Sequence, residues 1–228
     1  MVAIGLSVFC NQNLEKVALS FCTFSSSEFL NNASEKLTSN EYSFFSGFSS
    51  VVRAKSFLCG RIAAKEALTL LDECAAKRDI TKSENGQPVV MDSSFDVSIS
   101  HSKDIAVAVA YPKYLSFGVD IEFINPKHEQ ALKRMSPRAA SIKEATALWT
   151  IKEALSKALG TGVILDLETY DEMDLQATDD VYSCSFRNFS DYSGIALCNS
   201  KLALGIVFPA FCVIPISVLK DFFRENFQ

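Results

Sequence analysis

The chain has 228 residues, 48% of them hydrophobic and 21% charged, a balance that excludes a disordered polymer and is enough to bury a core in one large domain or two small lobes. A formal charge of −5 and a pI near 5.2 argue against broad electrostatic binding to nucleic acid or to an anionic membrane. Seven cysteines, odd in number, widely spread and without a C-x-x-C pair, suggest neither a disulfide framework nor a zinc knuckle. They are expected to be reduced, small core residues.

The first element, Val2 to Phe9, is apolar and rich in strand formers, and reads as a strand. It has no cationic start, and its apolar run is too short for a secretory signal. The run "ALGIVFPAFCVIPI" near the other end is interrupted by Pro209 and Pro215 and is shorter than the roughly 20 residues that span a bilayer. The expectation is a cytoplasmic protein without membrane contact.

From Ser26 to Thr69 the pattern is mostly helical. In "VVRAKSFLCGRIAAKEALTLL", Val52, Leu58, Ile62, Leu68 and Leu71 can line one side, while Arg53, Arg61 and Lys65 project from others. The turn signal "ENGQP" follows, then strands at Asp96–Ser100, Ile105–Tyr111 and Leu115–Phe123. Pro126 and Pro137 punctuate the next connection. A helix is predicted from Arg138 to Leu159, closed by Gly160, then strands from Val163 to Ile216 and a short last helix. The order implies an α+β fold. "SKDIAVAVAYP" and "SKLALGIVFP" echo one another, either by chance between two apolar strands or because the chain holds two copies of one lobe.

Three stretches carry candidate chemistry. In "FGVDIEF", strand alternation places Asp120 and Glu122 on one face. Two neighbouring carboxylates resist burial unless a cation lies between them, and oxygen ligands favour Mg²⁺ over zinc. Alone, the pattern also fits a strand edge facing water. In "WTIKEALSKALGTG", Ile151, Ala154, Leu155, Ala158 and Leu159 form an apolar stripe. Trp149, Glu153, Ser156 and Lys157 gather opposite. Glu153 and Lys157 could be an exposed ion pair worth about 0.3 to 0.5 kcal/mol, but a tryptophan on the same face implies that the face is covered. Glu144, extended along the same helix, falls on the apolar stripe, which suggests a kink or a later start. In "SISHS", Ser100 and His101 end a strand, where ligands dock and where a purely structural histidine also fits.

No nucleophile elbow, phosphate-binding P-loop or dinucleotide fingerprint occurs. The carboxylates together with Arg53, Arg61, Lys65, Lys157 and His101 form an inventory for Mg²⁺-dependent chemistry on a phosphate ester.

Taken in order, "LCGRIAAKEAL", "NGQPVV", "SISHSKDIAVAVA", "FGVDIE" and "WTIKEALSKALGTG" resemble the 4′-phosphopantetheinyl transferases, in particular the two-lobed, surfactin-synthetase-activating kind. The resemblance spans about Arg53 to Gly162. It implies a pseudo-twofold pair of lobes, residues 1–112 and 113–228, each a small antiparallel sheet on a long helix. It implies transfer of the 4′-phosphopantetheine arm of coenzyme A to a serine of an apo acyl or peptidyl carrier protein, with Mg²⁺ and release of adenosine 3′,5′-bisphosphate, by a monomer. By motif position Asp120, Glu122 and Glu153 would be metal ligands, and Glu153 and Lys157 catalytic. Arg53, Arg61, Lys65, Gln87, Pro88, Ser100, His101 and Lys157 would bind coenzyme A. Two departures stand out: the turn that usually reads G-K-P is "GQP" here, so Gln87 brings no charge, and "SNEYSFFSGFSS" lacks the basic residues that relatives often carry before the long helix. Two other readings use the same residues, a Mg²⁺-dependent nucleotide or phosphodiester hydrolase and a non-catalytic module that binds coenzyme A or a carrier.

Overall fold

The computed structural model describes residues 1–23, 30, 32–137, 139–161 and 167–227. The expected starts at Ser26, Arg138 and Val163 lie outside the described residues. The chain divides into two compact units, residues 1–6 with 16–114 and residues 7–15 with 115–228.

The first unit holds most of two strands, β1 (Val2–Cys10) and β2 (Asn13–Thr23), followed by α1 (Ala33–Lys36), α2 (Ser39–Ser46), α3 (Val51–Thr69) and α4 (Glu73–Ala76). Four further strands complete it: β3 (Ile80–Lys82), β4 (Pro88–Val90), β5 (Phe95–Ser102) and β6 (Ile105–Pro112). β2, β6 and β5 are antiparallel neighbours in that order. The second strand of the β1–β2 hairpin was not legible because its turn, Asn11 and Gln12, carries no glycine, although both residues sit at positive φ, 48° and 71°. The core packs Leu58, Ala63, Ala67 and Leu68 of α3 against Ala106, Ala108 and Ala110 of β6. Small side chains on every second strand position let the helix lie close. Val52 does not share in this core; it is 73% exposed at the helix start.

The second unit contains β7 (Gly118–Phe123), α5 (Glu129–Met135), α6 (Ile142–Leu159), β8 (Glu172–Thr178), β9 (Val181–Phe186), β10 (Tyr192–Cys198), β11 (Leu202–Pro209), β12 (Cys212–Val213) and α7 (Ile216–Asn226). Its antiparallel sheet runs β7-β11-β10-β9-β8. Ile151, Ala154 and Leu155 of α6 are fully buried and pack with Ala196, Ala203 and Val207 of the sheet. The two echoing segments are β6 and β11, each a strand that packs against the long helix of its own unit.

α6 begins at Ile142, which resolves the position of Glu144. Ser141 caps the helix by accepting from the Glu144 amide at 3.1 Å, and the Glu144 carboxylate accepts from the Ala140 amide at 3.2 Å. Glu144 is a first-turn residue answering to the helix start. At the other end Gly160 adopts φ 73°, as a closing glycine requires.

The expectation of seven reduced cysteines is corrected. Cys10 and Cys212 are disulfide-bonded, because the antiparallel register of β1 and β12 sets them opposite one another, 202 residues apart in sequence. Cys22, Cys59, Cys184 and Cys198 are buried thiols and Cys74 is exposed.

Candidate active site

In the second unit, two glycines bring α6 onto the strand that carries the acids and onto its neighbour β11. A Cβ on Gly118 would lie 1.8 Å from the Ala154 carbonyl oxygen, and one on Gly205 would lie 2.4 Å from Thr150 backbone atoms. Only bare backbone fits at such an approach. Gly205 is the register partner of Asp120, so the helix is closest where the acidic strand is. Gly118, Asp120 and Glu122 alternate onto the same face.

That approach sets Lys157, in the last turn of α6, against β7. Its ammonium donates to Asp120 Oδ1 at 2.7 Å and to the Val119 carbonyl oxygen at 3.2 Å. Asp120 is only 5% exposed, and Val119 and Ile121 beside it are fully buried, so the strand does not present Asp120 to bulk water, while Glu122 is half-buried. Glu153 lies one helical turn before Lys157. Burial, then the negative charges of Asp120 and Glu122, push its carboxyl up to about 7, with Lys157 acting in the opposite direction. The exposed i,i+4 pair therefore gives way to a half-buried Glu153 that feels the charges of Asp120, Glu122 and Lys157.

Among the described residues, no three His, Cys, Asp or Glu side chains stand together as a ready metal cage. The donor set nevertheless suits a hard divalent cation. It is all oxygen, and the mutual repulsion registered at Glu153 is what such an ion would relieve. Lys152, next to Glu153 in the motif, has a different task. It is 5% exposed, pairs with Glu172 at 2.8 Å and donates to the Met135 carbonyl oxygen at 3.0 Å.

The first unit holds a cavity of about 510 Å³ lined by Arg53, Arg61, Lys82 and His101, by Phe44, Phe48 and Phe57, and by Gly86, Pro88 and Ile99 of the surrounding turn and strand. None of its described lining residues is acidic. Of the expected coenzyme A residues, the cavity brings together Arg53, Arg61, Pro88 and His101. Ser100 alternates to the buried face of β5 and Gln87 is not among the lining residues. Lys65 lies elsewhere: it donates to the carbonyl oxygens of Ala76 and Arg78 and pairs with Glu41 at 3.1 Å.

Glu41 is the residue that sequence reasoning missed here. Only 4% exposed, it accepts from the Thr38 and Ile80 amides at 3.0 and 3.1 Å and faces both Arg61 and Lys65. Arg61 also donates to the Ile80 carbonyl oxygen at 2.9 Å and lies over the Phe57 ring. Burial draws its pKa down and Glu41 holds it up. The available signal was Thr38 followed three residues later by Glu41, the signature of a helix-capping box.

Residues 49–111 match the model of the 4′-phosphopantetheinyl transferase N-terminal domain, and residues 116–193 match that of the 4′-phosphopantetheinyl transferase superfamily. No curated protein matches the chain. The first match contains Arg53, Arg61, Lys82 and His101, and the second contains Asp120, Glu122, Glu153 and Lys157, in that order along one chain. With both halves represented over well more than half of its length, the chain belongs to the 4′-phosphopantetheinyl transferase superfamily.

Proposed function

We propose that this protein transfers the 4′-phosphopantetheine arm of coenzyme A to a serine hydroxyl of an apo acyl or peptidyl carrier protein in a Mg²⁺-dependent reaction, releasing adenosine 3′,5′-bisphosphate. The observation that carries the reading is the meeting of the two motifs in one unit, Lys157 on Asp120 at 2.7 Å with Glu153 crowded by the acidic strand. We further place it with the two-lobed, surfactin-synthetase-activating type, acting as a cytoplasmic monomer. In this reading residues 1–112 receive the 3′-phosphate end of coenzyme A and residues 113–228 carry the metal ligands.

Asp120, Glu122 and Glu153 would hold the cation. When bound, Mg²⁺ supplies charge neutralisation for the diphosphate and for the departing bisphosphate. The chain's own residues do the rest by position and charge. Lys157 is tethered at the helix end by Asp120 and the Val119 carbonyl, so its charge is aimed without further ordering when a phosphate arrives. The cavity lined by Arg53, Arg61 and His101, where Arg61 also pairs with Glu41, would receive the substrate's other phosphate. The serine proton must leave as its oxygen bonds to phosphorus, and in this reading Glu153, by its place in the motif, receives it. For Glu153 the ligand role has the charge crowding behind it, whereas the base role rests on position alone.

The test is mass spectrometry of several apo carrier proteins incubated with the protein, coenzyme A and Mg²⁺. The expected result is gain of the phosphopantetheine mass by the carrier, abolished by Asp120→Ala. Absence of the gain across the panel with folded protein would refute the reading, and coenzyme A cleavage without a carrier would select a hydrolase instead.

A further inference from the structure

We infer that Cys22 and Cys59 form a dithiol that a small hydroperoxide oxidises to a second disulfide, fastening the end of β2 to α3. Neither residue takes part in the proposed transfer, so the oxidation does not depend on it.

Strand register sets the pair. Along β2, Ala18 and Cys22 alternate onto the face that packs with α3, and both join Cys59 of that helix in the core of the first unit. Cys22 lies opposite Ala106 of β6, a side chain with nothing beyond its Cβ, and Ala106 lies opposite His101 of β5. The small residue in this row leaves space beside Cys22 for a side chain from the helix. Cys59 fills it: its thiol donates to the Cys22 sulfur. The two residues are 1% and 2% exposed.

Burial by itself makes a thiol inert. Cys184 and Cys198 show this: burial pushes each up to about 12, where almost no thiolate forms near neutral pH. Cys22 is buried too, yet its thiol is drawn below the ordinary range, because the hydrogen bond from Cys59 favours the thiolate and outweighs burial. The amino terminus acts in the same direction and Glu66 against it. Cys59 is pushed up by its bond to Cys22, by burial and by Asp104, with Lys55 opposing. One sulfur is thus the nucleophile and the other keeps its proton. Access needs only the strand end. Cys22 is the next-to-last residue of β2 and Thr23 after it is exposed, so local opening there admits a small neutral oxidant while the rest of the core stays closed.

The chemistry balances with one hydroperoxide. The Cys22 thiolate attacks the peroxide O–O bond, an S–O bond forms, and the other oxygen leaves as hydroxide that takes up the thiol proton to become water. The Cys59 sulfur then attacks the Cys22 sulfur: the S–S bond forms, the S–O bond breaks, and a second water leaves with the Cys59 proton. The two sulfurs lose two electrons and hydrogen peroxide gains them. Gly60 and Arg61, the next residues after Cys59, line the cavity of the first unit, so the new bond fixes the helix segment that walls it.

The test is exposure of the native full-length chain to hydrogen peroxide, then denaturation, alkylation and peptide mass mapping without reductant, for wild type, Cys59→Ser and Cys22→Ser. Cys74 is exposed and reports that the oxidant has acted. Wild type should yield a Cys22–Cys59 linked peptide that dithiothreitol removes, with Cys22 consumed at least about tenfold faster than Cys184 and Cys198. Cys59→Ser keeps a donor beside Cys22 but cannot close the bond, and should leave Cys22 as a sulfenic acid captured by dimedone. Cys22→Ser should leave Cys59 unmodified. Oxidised Cys74 with no linked peptide, a link that forms only after urea unfolding, or equal consumption of Cys22, Cys184 and Cys198 overturns the assignment. The wild-type map decides it alone if a variant does not fold.

Discussion

The Lys157 ammonium lies 2.7 Å from Asp120 Oδ1 and ties the last turn of α6 to the acidic strand β7. Replacing Lys157 by Ala removes the charge nearest to a buried carboxylate and withdraws a fixed cation from the proposed phosphate site. Transfer to a carrier should fall about 100-fold in kcat, the order seen when one preorganised electrostatic donor is removed. Pairing Lys157→Met with Asp120→Asn should recover thermal stability without recovering transfer, which separates the structural tie from the chemistry.

Glu153 gives a pH prediction for metal-free protein. Its folded-state carboxyl is raised from 4.5 to about 7, chiefly by burial. Between those values the folded state keeps a proton that the unfolded state has lost. Stability should therefore decline as pH rises from about 4.5 to about 7 and then level off. In EDTA, urea midpoints of the wild type should fall across this window, and those of Glu153→Gln should be flatter there. A wild-type profile indistinguishable from the Gln variant would contradict the crowding of the three carboxylates.

Gly118 tests the close approach that assembles the site. Alanine there would put Cβ 1.8 Å from the Ala154 carbonyl, a backbone atom that cannot turn aside, while Gly5 has nothing within 4 Å of the same added atom. Gly118→Ala should destabilise by about 3 kcal/mol or more and lose transfer, with Gly5→Ala close to wild type in melting temperature. Equal melting temperatures would mean that α6 does not lie on β7 as closely as described.

What was legible in the sequence was local. Helical spacing grouped Glu153 with Lys157, strand alternation grouped Asp120 with Glu122, and Gly160 marked the helix end. The α+β class followed from the order of such segments. What was not legible depended on partners distant in sequence. Lys65 and Arg61 share a helix face pattern, yet Glu41 and two carbonyls draw Lys65 away from the cavity while Arg61 borders it. Lys82 carried no motif and enters the cavity only through its hairpin register. The pairing of Cys10 with Cys212 is likewise a product of strand register that spacing alone does not reveal.

Glu41 should prove a stability residue of the first unit. It is buried between Arg61 and Lys65, whose side chains are 8% and 14% exposed. Glu41→Ala strands those charges without their carboxylate, a loss that typically costs about 3 to 5 kcal/mol. Equilibrium urea unfolding would measure it, and a change under 1 kcal/mol would show that solvent reaches the pair and screens it.

The Cys10–Cys212 bond makes a prediction by count before any measurement of stability. Five thiols are free, so protein denatured without reductant should react with five equivalents of a thiol reagent and with seven after reduction. Seven without reductant would show that the bond does not form. Where it forms, it closes a span of 202 residues, for which loss of chain entropy in the unfolded state gives a stabilisation of up to about 5 kcal/mol. Cys212→Ser should therefore lower the unfolding midpoint under non-reducing conditions. Adding a reductant to the wild type should reproduce most of that shift and leave the Cys212→Ser midpoint unchanged.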